Sequence, residues 1–252
     1  MLECAGLDVE VAGRRLVAAL SFATRPGRFV ALLGQNGAGK TLTLHTLAGL
    51  RPALAGTVTL DGRPLAEWPP AERARRLSLL PQAMEDPFPV TVLETALVGR
   101  HPHIGFWSWE SAQDVAIARD CLAQVDLGGY EERVVESLSG GERRRLAVAA
   151  LLAQDTPVSL LDEPTNHLDP QHQLGVLQLL RSRADAGRAA VASLHDPTLA
   201  ARFADDALLL FGDGRWQFGP CEAVLTEAGL TALYHNPMHE IAWRDRRVFV
   251  AG

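Results

Sequence analysis

Lysine is nearly missing from this sequence. Of its 24 Lys and Arg residues, only Lys40 is a lysine. A chain that otherwise uses arginine for positive charge keeps one compact ammonium where a flat, forked guanidinium cannot serve. Cysteine is scarce as well. Cys4, Cys121 and Cys221 are far apart and odd in number, which excludes a disulfide framework or zinc spacing and fits a reducing cytoplasm. Excess positive charge is absent. The net charge of -6 and pI near 5.7 argue against nucleic acid as the main partner. No apolar run approaches the ~20 residues that a membrane helix needs, so work at a membrane would require another chain to span it. The start, Met1-Leu2-Glu3-Cys4, has neither a basic n-region nor an apolar h-region, and no signal peptide is expected. Internal repeats and low-complexity linkers are also lacking. What remains, 47% apolar and 21% charged over 252 residues, is a soluble globular composition large enough for a sizeable core and one or two domains.

The single lysine lies in Gly34-Gln35-Asn36-Gly37-Ala38-Gly39-Lys40-Thr41, which fits the phosphate-binding pattern G-x-x-x-x-G-K-[ST]. Residues 28–33 read as a buried strand and 41–48 as the first turns of a helix, the context this motif needs. Gly34, Gly37 and Gly39 let the backbone curl so that successive N–H groups face phosphate oxygens. The helix N-terminus favours the anion. Lys40 supplies a point charge for the β- and γ-phosphates, and the Thr41 hydroxyl can ligate Mg²⁺.

In order, residues 1–33 read as a β meander turning at Ala12-Gly13, followed by strands at 57–60 and 77–80. The character changes near residue 86, where Asp86-Pro87-Phe88-Pro89 breaks the chain. Helical patterns follow at 91–98, 109–125 and 140–154, with an aromatic loop at 101–109. Strands return at 157–161, 189–194 and 207–211, with a helix at 174–184, a turn at Asp213-Gly214, and a helix and short tail beyond Gly219. Strands alternating with helices predict an α/β fold with a mostly parallel sheet. The division expected is a core of residues 1–85 and 155–252, carrying an N-terminal antiparallel β portion, with a helical block inserted at 86–154.

Two further motifs carry chemistry. The apolar run ending Leu160-Leu161-Asp162-Glu163 places two carboxylates at a strand exit. Asp162 can hold Mg²⁺, and Glu163 can take a proton from an attacking water. Leu138-Ser139-Gly140-Gly141-Glu142 opens a helix, where a hydroxyl and glycine amides form a second anion site or simply a cap. The arginines around it (Arg143, Arg144, Arg145), like Arg73, Arg75 and Arg76, are expected mostly on solvated helix faces.

Taken together, these residues resemble the nucleotide-binding subunit of an ATP-binding cassette (ABC) transporter over nearly the whole chain. Residues 34–41 match that family's Walker A motif, Gln82 its Q-loop, and 138–142 its signature. Val158 to Asp162 with Glu163 match Walker B and the catalytic glutamate. Asn166-His167-Leu168-Asp169 resembles the D-loop, and His195 the switch histidine. The resemblance implies a P-loop NTPase core and ATP hydrolysis with Mg²⁺ held by Thr41, Gln82 and Asp162. Glu163, His195 and Gln82 would be catalytic. Gly34, Gln35, Asn36, Gly37, Ala38, Gly39, Lys40 and Thr41 would bind nucleotide in cis, and Ser139, Gly140 and Gly141 in trans, from a second copy paired head to tail.

The family often stacks an aromatic on adenine where this chain has Val11, so adenine preference is expected to be weak or supplied otherwise. Leu97-Val98-Gly99-Arg100-His101-Pro102-His103 resembles the importer group for metal chelates: ferric siderophores, haem and cobalamin. The implied partners are a membrane permease and, through it, an external or periplasmic binding protein. The implied location is the cytoplasmic face of a bacterial inner membrane. Another class remains open, a soluble ABC ATPase with a non-membrane partner. Phe106, Trp107 and Trp109 are either a core anchor or the surface that meets the permease. His101 with His103, and His235 with His239, lack the Cys or carboxylate that would complete a metal set. They are expected to be structural or surface residues.

Overall fold

The computed structural model describes residues 1–82, 89–105, 107–244 and 246–252. The expected chain break at Asp86-Pro87-Phe88 and the aromatic Phe106 lie outside the described residues. The chain runs β1 (Leu2–Val11), β2 (Arg14–Thr24), β3 (Phe29–Gly34), α1 (Lys40–Leu47), β4 (Ala55–Leu60), β5 (Arg63–Pro64), α2 (Pro70–Ala74) and β6 (Leu77–Leu80). Helices α3 (Val92–Val98), α4 (Ala112–Gln124) and α5 (Gly140–Gln154) follow. The chain then alternates through β7 (Val158–Leu161), α6 (Pro170–Asp185), β8 (Ala189–Ser193), α7 (Pro197–Phe203), β9 (Asp206–Leu210) and β10 (Trp216–Pro220). It ends with α8 (Cys221–Val224), α9 (Glu227–Tyr234), β11 (Met238–Trp243) and β12 (Arg246–Ala251).

The central sheet has the order β10-β9-β3-β8-β7-β6. All its pairs are parallel except β10 with β9. Strands β3, β7, β8 and β9 are buried along their whole length, as expected of parallel strands covered on both faces. The two-residue period sorts their side chains. Phe29, Ala31 and Leu33 enter a core shared with α3 to α7, whereas Val30 and Leu32 enter a second core under the four-stranded antiparallel sheet β2-β1-β4-β5. The fold is therefore α/β, a P-loop NTPase core with an antiparallel β portion and a helical block.

The starts of α4 and α6 are set by caps rather than by periodicity alone. The helix expected from residue 109 starts at Ala112, because Ser111 and Asp114 form a reciprocal capping box. The helix expected from 174 starts at Pro170, because Asp169 caps it and proline suits the first helical position. Residues 101–103 form a single 3₁₀ turn within the expected loop. The expected short tail is instead the hairpin β11–β12. Its inner Phe249 is buried against α7, where its backbone exchanges hydrogen bonds with Thr198 Oγ1 at 3.0 and 3.5 Å.

Candidate active site

The loop between β3 and α1 encloses a polar hollow. Gly34 packs so close to the Leu210 carbonyl that a Cβ would stand 2.7 Å from that oxygen. Gly39, with φ of +100°, takes the left-handed conformation that only glycine adopts cheaply. Lys40, 6% exposed, lies inside the turn and donates to the carbonyls of Gly34 at 2.8 Å and Gln35 at 3.3 Å. Burial pushes its ammonium below the ordinary lysine range, opposed by the charges of Glu163 and Asp162. Asn36, Gly37, Gly39, Lys40 and Thr41 line a cavity of about 530 Å³. The same cavity is lined by Val11, Gln82, Glu163, Asn166 and His195, from four other parts of the chain.

Glu163 is the hub of this cavity. His195 Nε2 stands 2.9 Å from its Oε1. Gln82 Nε2 donates to its Oε2 at 3.1 Å, and Asn166 Nδ2 donates to the same oxygen at 2.9 Å. Beneath it, Ser193 Oγ donates to Asp162 Oδ1 at 2.7 Å and accepts the Glu163 backbone N–H at 2.7 Å. Asp162 is fully buried, and among the described residues its Oδ2 has no hydrogen-bond partner. A buried carboxylate oxygen left without a donor fits a cation or its hydration shell. Thr41 and Gln82 line the cavity above, next to Glu163, and the oxygen donors of Thr41, Gln82 and Asp162 are of the kind that Mg²⁺ takes.

Ser193 and Tyr234 escaped the sequence reading. The signal for Ser193 was a hydroxyl ending the otherwise apolar run of β8, just before His195. Tyr234, at the end of α9, donates its hydroxyl to the His195 carbonyl at 3.3 Å, and burial pushes its phenol up to about 12. Nothing local in the sequence ties it to residue 195.

The structure does not bring Ser139, Gly140 and Gly141 to their own phosphate loop. Gly140 borders a different cavity of about 270 Å³ with Gln82, Arg144 and His167. Ser139 caps α5 through a box with Glu142: its hydroxyl accepts the Glu142 N–H at 3.3 Å, and Glu142 Oε2 accepts the Ser139 N–H at 2.7 Å. Two of the six arginines expected mostly on solvated helix faces depart from that expectation. Arg143 is exposed, but Arg144 and Arg145 are buried. Arg145 donates to the Val125 and Asp126 carbonyls at 2.6 and 2.8 Å, filling acceptors that the end of α4 leaves open. Arg73, Arg75 and Arg76 stay at the surface or partly buried.

Val11, 42% exposed, stands at the cavity mouth. Trp107 and Trp109 are 92% and 90% exposed, so neither is a core anchor. His103 Nε2 pairs with the Gln154 carbonyl at 2.8 Å. His235 is the left-handed C-cap of α9, and His239 Nδ1 lies 4.0 Å from Glu227.

A phosphate loop beside a strand-end carboxylate pair on a parallel sheet defines a P-loop nucleoside triphosphatase. The chain belongs to the ABC transporter family, whose model matches residues 17–166, and it is an ATP-binding, ATP-hydrolysing subunit of that family. Among similar proteins is the hemin import ATP-binding protein HmuV of Streptomyces coelicolor, 40% identical over 92% of this chain and 82% of that protein. HmuV of Pseudomonas entomophila is 41% identical over 93% of this chain and 92% of its own length. The cobalamin import ATP-binding protein BtuD of Halobacterium salinarum is 39% identical over 92% of this chain but 58% of its own. A solved metal-chelate type ABC transporter in an inward-facing conformation aligns with a TM-score of 0.85 at 29% identity. That alignment covers 100% of this chain and 97% of the solved one. Among the described residues, no helix is long and apolar enough to cross a membrane.

Proposed function

We propose that this chain powers an importer for a metal chelate (a ferric siderophore, haem or cobalamin) from the cytoplasmic face of a bacterial inner membrane. It would work as a head-to-tail pair beneath a permease supplied by an external or periplasmic binding protein. The observation that carries the paired reading is the separation of the two anion motifs. The phosphate loop shares its cavity with Glu163 and His195, while none of Ser139, Gly140 and Gly141 lines it and Gly140 borders another cavity. A signature that cannot serve its own loop can serve a partner's. The names of the similar proteins, hemin and cobalamin import ATP-binding proteins, support the cargo class. The division into a core of 1–85 and 155–252 and a helical block of 86–154 belongs to the same reading.

The residues then have definite tasks. The amides of residues 34–41 and the Lys40 ammonium cradle the β- and γ-phosphates. Thr41, Asp162 and Gln82 would hold Mg²⁺, which when bound neutralises charge on the phosphoryl oxygens. Glu163 accepts the proton of the attacking water. His195, already paired with Glu163, orients that water and the γ-phosphate. Gln82 and Asn166 hold the other Glu163 oxygen, so the carboxylate is aimed before the water arrives.

The test is Glu163→Gln. Hydrolysis should fall about 10²–10⁴-fold, the usual worth of a general base, while ATP binding persists. With ATP and Mg²⁺ the variant should elute as a dimer in size-exclusion chromatography. Native turnover would remove Glu163 from the base role, and a monomeric profile would reject the paired site.

A further inference from the structure

Arg144 sits in the first turns of α5, and its side chain runs inward, leaving the residue 6% exposed. Its guanidinium joins two separate backbone segments. Nη1 donates to the carbonyls of Pro81 at 2.7 Å and Gln82 at 3.2 Å. Nε and Nη2 donate to the Glu163 carbonyl at 3.2 and 2.9 Å, and Nη2 also donates to the Asp162 carbonyl. Among the described residues no carboxylate forms an ion pair with it. Its proton donors are spent on main-chain oxygens.

Successive carbonyls in an extended strand point to opposite sides. Those of residues 162 and 163 converge on one guanidinium, and Glu163 has φ of +50°. A left-handed conformation is unfavourable for a residue with a Cβ. Glycine would take it freely but would bring no carboxylate, so the kink must be held from outside. Arg144 holds its carbonyl side and Ser193 its N–H side. The same guanidinium grips residues 81 and 82 where the chain leaves β6, and the Gln82 amide is one of the groups bonded to the Glu163 carboxylate. Arg144 also belongs to the helix whose N-cap is Ser139.

We propose that Arg144 is a positioning residue for hydrolysis: a strut from the signature helix that sets Glu163 and Gln82 in register with each other. This rests on the reading of Glu163 as the general base. A displacement of α5, as when Ser139 meets a partner's nucleotide, reaches both groups through this one side chain.

The experiment compares Arg144→Lys and Arg144→Gln with the native chain, alone and combined with Glu163→Gln. Both replacements keep hydrogen-bond donors but cannot span all these carbonyls. ATP affinity, read with a fluorescent ATP analogue, should stay within about threefold. Turnover should fall about 10–100-fold, as expected when a reacting group is displaced by about an ångström. In the Glu163→Gln background, the second substitution should change the residual single-turnover rate less than about twofold, because groups acting as a unit are non-additive. Native turnover in both Arg144 variants would overturn the strut. So would parallel loss of affinity and turnover, or the same fold-loss with and without Glu163. If neither variant folds, Arg144 is a packing residue and the proposal falls. Undiminished hydrolysis by Glu163→Gln alone instead rejects the general-base reading, which separates the two failures.

Discussion

At the scale of single residues, the lone lysine is the sharpest case. Lys40 reaches two carbonyls inside a closed turn and is almost fully buried. A guanidinium is broader and cannot pivot there as a point charge. Lys40→Arg should therefore lose tight ATP binding nearly as completely as Lys40→Ala, measured by isothermal titration. Retained binding in the arginine variant would reject the steric reason for the lysine. Val11 makes the opposite case. It lines the cavity as an aliphatic side chain where a stacking ring could stand, so ATP and GTP should bind the native chain with similar affinity. Val11→Tyr should tighten ATP binding by no more than the ~1–3 kcal/mol of one base–aromatic stack. A strong native preference for ATP would mean that another side chain reads the base.

At the scale of elements, α4, α5 and α6 each start at a side-chain cap, and the cap of α4 also joins elements. Asp114 closes the capping box of α4 and also receives buried Arg100 at 3.0 Å. Arg100 in turn donates to the Ala153 carbonyl in α5 at 2.7 Å. Hydrogen bonds from the Ser111 hydroxyl and N–H, then from Arg100, hold the Asp114 carboxyl down at about 2. A carboxylate with a depressed folded value stabilises the fold above its ordinary value near 4 and loses that contribution as the pH falls toward 2. Asp114→Asn should thus lower the melting temperature at pH 7, with the gap to the native chain closing between about pH 4 and pH 2. A gap that stays constant with pH would show that shape, not charge, is what matters there. The C-terminal elements act through position instead. α9 brings Tyr234 to the His195 carbonyl, and β12 docks on α7, the helix that starts just beyond His195.

At the scale of the whole molecule, the phosphate loop and Gly140 border different cavities, and Trp107 and Trp109 are largely exposed to solvent. Indole rings favour interfaces, and buried tryptophans dominate their energy. Trp107→Ala with Trp109→Ala should lower permease affinity and substrate uptake while basal ATP hydrolysis by the isolated subunit survives. Loss of hydrolysis in parallel with uptake would mean that the pair supports the fold rather than docking.

The sequence alone determined the phosphate loop, the strand-end carboxylates, the helix that opens after Ser139 and much of the order of strands and helices. These rest on local chemistry: glycines where the backbone must curl, apolar runs where strands are covered on both faces, a carboxylate pair at a strand exit. Only the tertiary structure decided what surrounds Glu163. Gln82, Asn166 and His195 converge on it from loops that parallel pairing of β6, β7 and β8 sets side by side. Ser193 and Tyr234 join by the same route, across long sequence separations. Arg144 shows the limit most plainly. By composition it belongs to a basic run that should be solvated. It is buried because the kink at Glu163 presents carbonyls that need a donor, and helix packing places this one arginine of the three beside them.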